Sequence, residues 1–158
     1  MTDKMKEHKI FMKMLLELTE FSKCQSKQVA CILVRDKSII SSGVNGTPAG
    51  AENCCDLFDA SRMHEPDYRE EHHAFSEAME CHAEENAIIY AAVNGNSIRG
   101  TVAYVSMKPC ERCLKMLVSA GIREIYYHSE YDKFVDYKPA VNRMIKRLNV
   151  MIVKINPI

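Results

Sequence analysis

The chain has no net charge: 21 Lys and Arg balance 21 Asp and Glu across 158 residues. A protein that rides on phosphate backbones ordinarily carries a basic excess, so no nucleic-acid partner is expected. A single small anion needs only a cation or two and stays compatible with that balance. No window approaches the ~20 apolar residues that cross a bilayer, and no secretory apolar run follows the charged residues 1–9. Neither a membrane span nor a signal peptide is expected. There is no even set of cysteines either: seven cannot all pair within one chain. Close Cys spacings in such a chain point to metal or catalysis in a reducing, cytoplasmic compartment. Tryptophan, internal repeats and low-complexity segments are also missing. What remains, 47% hydrophobic and 27% charged residues, is the composition of an ordinary globular domain. At this length one domain over residues 1–158 is expected, able to bury nearly 70% of its unfolded surface without staples.

Residues 5–23 place Ile10, Phe11, Met14, Leu15, Leu18 and Phe21 at helical spacing between Lys and Glu, which predicts an amphipathic helix. Residues 29–35 and 38–45 are β-rich runs joined by Asp36-Lys37, a hairpin. Turn formers follow, and residues 51–80 read as a long functional loop with some helix, an insertion of about 47–80. Further on come a helix over 82–93, a strand over 101–106, a helix over 110–120 and a strand over 124–128. A helix over 139–148 and a strand over 150–154 complete the series. The order predicts an α/β fold of three layers, α/β/α, with a five-stranded mixed sheet and helices on both faces.

Two short motifs carry chemistry. His82-Ala83-Glu84 and Pro109-Cys110-Glu111-Arg112-Cys113 each open a predicted helix. A helix N-terminus has free N–H groups and a partial positive charge, which favours thiolates. His82, Cys110 and Cys113 make three ligands of one metal and leave a fourth position open, the mark of catalytic zinc. Glu84 stands two residues from His82, placed to move a proton. A Cys-x-x-Cys alone reads equally as a redox pair, and a lone His-x-Glu arises by chance. Together they match the zinc nucleobase deaminase signature.

With these residues the chain resembles the deoxycytidylate (dCMP) deaminases of the cytidine deaminase superfamily, in particular viral or phage-like members, over about residues 5–155. Gly43-Val44-Asn45-Gly46-Thr47-Pro48 is similar to the family's Gly-Tyr-Asn-Gly segment, with Val44 where Tyr is usual. His82 to Ile88, Tyr104-Val105-Ser106 and Ala120-Gly121-Ile122 also fit. The resemblance implies zinc-dependent hydrolysis of dCMP to dUMP and ammonia, supplying dUMP for thymidylate synthesis. Water activated at the zinc attacks C4, and Glu84 shuttles the proton. It further implies a homohexamer, activation by dCTP with Mg2+ and inhibition by dTTP; Val44 bears on that regulation more than on catalysis. Asn45, Ala83, Ser106 and Tyr127 are the candidate substrate contacts, Tyr127 being preferred over Tyr126 and Tyr131. The plainer reading of Asn45 is a turn residue beside Gly46.

Some viral members also carry a second, structural zinc, and that likeness nominates Cys24, Cys54, His72 and Glu80, with His73 as substitute for His72. The alternative is small buried thiols and a solvated His pair. For the phosphate, Arg112, Lys108, Arg123 and an Arg or Lys from a neighbouring subunit are candidates, the plainer reading of each being a solvated surface charge. Rival readings are a structural zinc module, a nucleoside cytidine deaminase, a riboflavin-pathway deaminase and a tRNA adenosine deaminase; the charge balance disfavours the last.

Overall fold

The computed structural model describes residues 3–131 and 136–157. Five strands form one sheet in the order β2-β1-β3-β4-β5: β1 Ala30–Arg35, β2 Ser38–Val44, β3 Val102–Met107, β4 Glu124–Ser129 and β5 Met151–Lys154. β1 runs antiparallel to β2 and β3, whereas β3, β4 and β5 are parallel. The β1–β2 hairpin turns on Asp36 and Lys37 at φ of 50° and 61°, the left-handed pair whose twist matches the strands.

Each parallel connection is a helix: α5 Glu111–Ser119 between β3 and β4, and α6 Pro139–Arg147 between β4 and β5. Alternate side chains feed opposite faces. Ile32, Val34, Tyr104 and Tyr126 pack on Phe11, Met12 and Leu15 of α1 Asp3–Leu18. Cys31, Leu33, Ala103, Val105 and Ile125 pack on α5, on α6 and on Ala83 and Ala87 of α4 Ala83–Val93. The expected mixed sheet between two helical layers is what forms.

Two expectations need correction. The helix over 5–23 ends as an α-helix at Leu18 and tightens into a 3-10 turn, Thr19–Phe21. Ile10, Met14 and Phe21 face solvent, because the buried stripe is the narrower set His8, Phe11, Met12 and Leu15. The region 51–80 is also far more helical than a loop, containing α2 Cys54–Leu57, a 3-10 turn Ala60–Arg62 and α3 Pro66–Met79. Pro66 opens α3 at its first turn, where no N–H is needed. His72 is the one buried residue of α3, so no apolar stripe announced it. A small satellite cluster of Cys24, Cys54 and Phe58, with Tyr68 and Phe75 against it, holds the segment down. Among the described residues no helix is long and apolar enough to cross a membrane.

Candidate active site

β2 and α4 touch backbone to backbone. A Cβ at Gly43 would run into Ala87 N and Ala83 O, so only glycine lets the helix seat this closely. Two hydrogen bonds fasten the contact: Ser41 Oγ donates to Ala87 O at 2.6 Å and Asn86 Nδ2 to Val44 O at 2.7 Å. The first turn of α4 is therefore held rigidly, and its N-cap is His82. Glu85 accepts the His82 N–H at 2.7 Å and is itself met by Arg112 of α5 at 3.0 Å. On the neighbouring helix Cys110 is the N-cap and its sulfur accepts the Cys113 N–H. The Tyr137 hydroxyl donates to Pro109 O at 2.7 Å and steadies the approach to Cys110.

This framework brings His82 Nδ1 to 3.4 Å from Cys113 Sγ and 3.6 Å from Cys110 Sγ. Two ligands of one tetrahedral zinc, at ~2.0 Å for nitrogen and ~2.3 Å for sulfur, stand about 3.5 Å apart. The charges fit a cation as well. The hydrogen bond from Cys113, with His82 beside it, holds Cys110 down to about 3. Cys113 is driven up because its proton is shared with that first thiolate and because it is buried. The Cys110 thiolate raises His82. A divalent ion supplies the positive charge that ionises both sulfurs and frees His82 as a neutral ligand. Glu84, 3% exposed, points into the same place, and burial pushes its carboxyl up to about 7.

His82, Glu84 and Cys110 line a cavity of about 840 Å3, within the range of small-ligand sites. Ala83 and Asn45 line it as expected from the sequence. Asn45 is largely committed to the fold: its Oδ1 accepts from Val29 N and Ser22 Oγ, and its Nδ2 donates to Lys27 O at 2.7 Å. Ser106 lies elsewhere, its buried hydroxyl accepting the Ala30 N–H at 3.0 Å. Tyr127 gives its hydroxyl to Glu130 at 2.8 Å and is not in the cavity wall; Tyr131 is. Spacing along a strand places Tyr127 inward, but Tyr131 follows the strand end and no periodicity marks it.

None of the three cations considered for phosphate lines the cavity. Arg112 pairs with Glu85, Lys108 with Glu130 at 3.6 Å, and Arg123 donates to Val118 O and Ile122 O. Lys27, Arg69 and Cys81 do line it and went unmarked in the sequence, since each belongs to a segment without motif or period.

A second donor cluster lies farther along the wall. Cys54 Sγ is 3.1 Å and Cys24 Sγ 3.8 Å from His72 Nε2, all three buried. Burial raises Cys24, pushes Cys54 up to about 12 and lowers His72, so all are neutral as they stand. Glu80 is also buried; Ser76 donates to its Oε2 at 2.5 Å while Oε1 has no hydrogen-bond partner among the described residues. A buried carboxylate oxygen without a donor is costly unless a cation completes it. His73, the alternative ligand, points to solvent and sits 3.5 Å from Glu77.

Residues 5–129 match the family model described as the cytidine and deoxycytidylate deaminase zinc-binding region. The chain is 35% identical to the deoxycytidylate deaminase of Enterobacteria phage T4 over 143 residues, covering 73% of this chain and 74% of that one. It is 34% identical to the deoxycytidylate deaminase of Mus musculus over 127 residues, covering 80% and 65%. Its backbone superposes on the crystal structure of dCMP deaminase from cyanophage S-TIM5 in complex with dCMP and dUMP. There the TM-score is 0.71 and the identity 31%, over 98% of this chain and 99% of that one.

Proposed function

The chain belongs to the cytidine and deoxycytidylate deaminase family and is a hydrolytic deaminase, and from that premise we propose that it converts dCMP to dUMP and ammonia. The observation that carries the reading is the convergence of His82, Cys110 and Cys113 beside the buried Glu84, with His82, Glu84 and Cys110 in the lining of one cavity.

His82 Nδ1 and the sulfurs of Cys110 and Cys113 would hold a catalytic zinc, which would supply Lewis acidity that brings the pKa of water toward 7. Glu84 does the proton work. Its carboxylate takes the proton released as the water oxygen bonds to C4, and passes it to ring N3. It then delivers the second water proton to the exocyclic nitrogen, so that the C4–N bond breaks and ammonia leaves. Burial suits Glu84 to this duty, because neither its neutral nor its ionised form is strongly disfavoured near pH 7. Ala83, at the start of α4, and Asn45 line the cavity and are the candidate contacts of base and sugar.

Cys24, Cys54 and His72, which lie together, would hold a second, structural zinc, with Glu80 as the fourth ligand on family likeness. The orphaned Glu80 oxygen supports that assignment. Homohexamer formation, activation by dCTP with Mg2+ and inhibition by dTTP complete the reading on family likeness. The exposed apolar strip Ile89, Tyr90 and Val93 on α4 supports self-association. Seven free cysteines support a cytoplasmic, reducing setting.

The deciding experiment mixes zinc-loaded protein with dCMP, deoxycytidine and dCTP separately and follows ammonia and ultraviolet absorbance. Turnover of dCMP is expected. Glu84→Gln should lower it by about 10²–10⁴-fold with zinc content unchanged. Wild-type protein that holds zinc and turns over none of the three overturns the reading.

A further inference from the structure

The donors of the zinc-type cluster come from two separate helix starts. His82 caps α4, while Cys110 caps α5 and Cys113 lies in its first turn, with Arg112 between the two cysteines. Ala83 and Ala87 of α4 and Leu114 and Leu117 of α5 belong to one apolar core. A polar tie joins the same two helices. Glu85 Oε2 accepts the His82 N–H at 2.7 Å and also the Arg112 guanidinium at 3.0 Å. One carboxylate oxygen therefore links the histidine half of the donor set to the cysteine half.

The acid beside Arg112 in sequence is engaged elsewhere: Glu111 accepts the Lys138 N–H at 2.6 Å and lies 3.8 Å from its ammonium. An ion pair in full solvent contributes little, because both side chains are free and water screens them. This pair differs at its carboxylate end. The Glu85 side chain is 15% exposed against 57% for Arg112, and a main-chain N–H already fixes it. Charge-assisted hydrogen bonds to a group so held are the strong kind. An ion shared by two helices is lost when the helix starts part, and the Glu85 bridge resists that motion. Outer hydrogen bonds that hold metal ligands in place typically contribute about 10–100-fold to affinity.

We infer that Arg112 and Glu85 form a latch that keeps His82 at metal-ligand spacing from Cys110 and Cys113 and slows loss of zinc from that site. Both are positioning residues, since neither lines the cavity. The inference rests on the zinc reading of this donor set and is independent of which nucleotide is deaminated.

The test reads zinc release instead of turnover. Zinc-loaded full-length protein is challenged with excess EDTA and N-ethylmaleimide, and peptide mass spectrometry times alkylation of Cys110 and Cys113 separately from Cys24 and Cys54. Arg112→Ala should speed alkylation of Cys110 and Cys113 by about 10–100-fold and leave Cys24 and Cys54 within about twofold. Arg112→Lys, which keeps the charge, should recover part of the loss. Glu85→Gln keeps an oxygen for the His82 N–H but loses the ion pair, so it should act in the same direction. The double variant Arg112→Ala with Glu85→Gln should be no faster than the faster single, a non-additivity that two unrelated structural roles would not give. Circular dichroism establishes that each variant is folded; if Arg112→Ala is not, Arg112→Lys and Glu85→Gln decide. A wild-type rate in the folded variants overturns the inference. So does equal acceleration at all four cysteines, or full additivity in the double variant. Wild-type protein whose Cys110 and Cys113 react as fast without EDTA as with it holds no zinc there, which overturns the latch and the zinc reading together. A latch that passes these tests in a protein that never deaminates dCMP sinks the proposed function and leaves this inference standing.

Discussion

His8 shows how a single side chain couples this fold to pH. It lies on the buried face of α1, its ring centroid 4.0 Å from that of Tyr126, and its Nδ1 accepts the Tyr104 hydroxyl proton at 2.7 Å. Burial lowers its pKa below 6.5, with Lys4 pushing the same way and Glu124 and Glu7 opposing. Below that value the unfolded chain binds a proton that the folded one resists, so stability is full above about pH 6.5 and declines as pH falls. Thermal melts at pH 7.5 and 5.5 should show the wild type losing more than His8→Gln, which keeps an acceptor for Tyr104 but cannot titrate. Equal losses in the two proteins would show that His8 does not carry the acid sensitivity.

Between elements, the closest seat is that of α4 on β2. Gly43→Ala places a methyl against the backbone of the turn that carries Ala83 and Ala87. Overpacking of this kind costs about 1–3 kcal/mol, which lowers the melting temperature by roughly 2–10 °C in a chain of this size. Because the displaced turn carries His82 and Glu84, kcat should fall along with stability. A melt together with steady-state kinetics checks both. The segment 51–80 depends on a different tie. Its apolar support is a few side chains around Phe58, and a metal joining the clustered Cys24, Cys54 and His72, with Glu80 as the proposed fourth ligand, would add to it. Cys54→Ser should therefore release one zinc equivalent and speed amide exchange along α3 while leaving the sheet protected. Unchanged zinc stoichiometry in that variant would remove the second site.

The intact molecule leaves Ile89, Tyr90 and Val93 of α4 in solvent, at 49, 55 and 78% exposure, although this helix also supports the active site. Apolar side chains gathered on one helix face mark an association surface. Sedimentation should report a hexamer for the wild type. Val93→Glu should shift it to smaller species that keep the monomer's circular dichroism. A monomeric wild type would defeat that expectation directly.

The sequence by itself determined the α/β class with its five-stranded mixed sheet, and it marked the residues of the zinc end as candidates. His82-Ala83-Glu84 and Cys110-x-x-Cys113 are local patterns at helix starts, and the strands around Ile32, Tyr104 and Ile125 carry strong apolar runs. Such signals survive because they depend on neighbours in the chain. The helix α3 was hidden because its buried face is a histidine, packed by a metal-type cluster instead of an apolar stripe. Tyr131 in place of Tyr127, the structural role of Ser106, and the arrival of Lys27 and Arg69 in one cavity were decided by tertiary structure alone. These residues come from segments distant in sequence. Whether a polar side chain meets a ligand or a carbonyl depends on which other segment folds against it, a fact no local pattern contains.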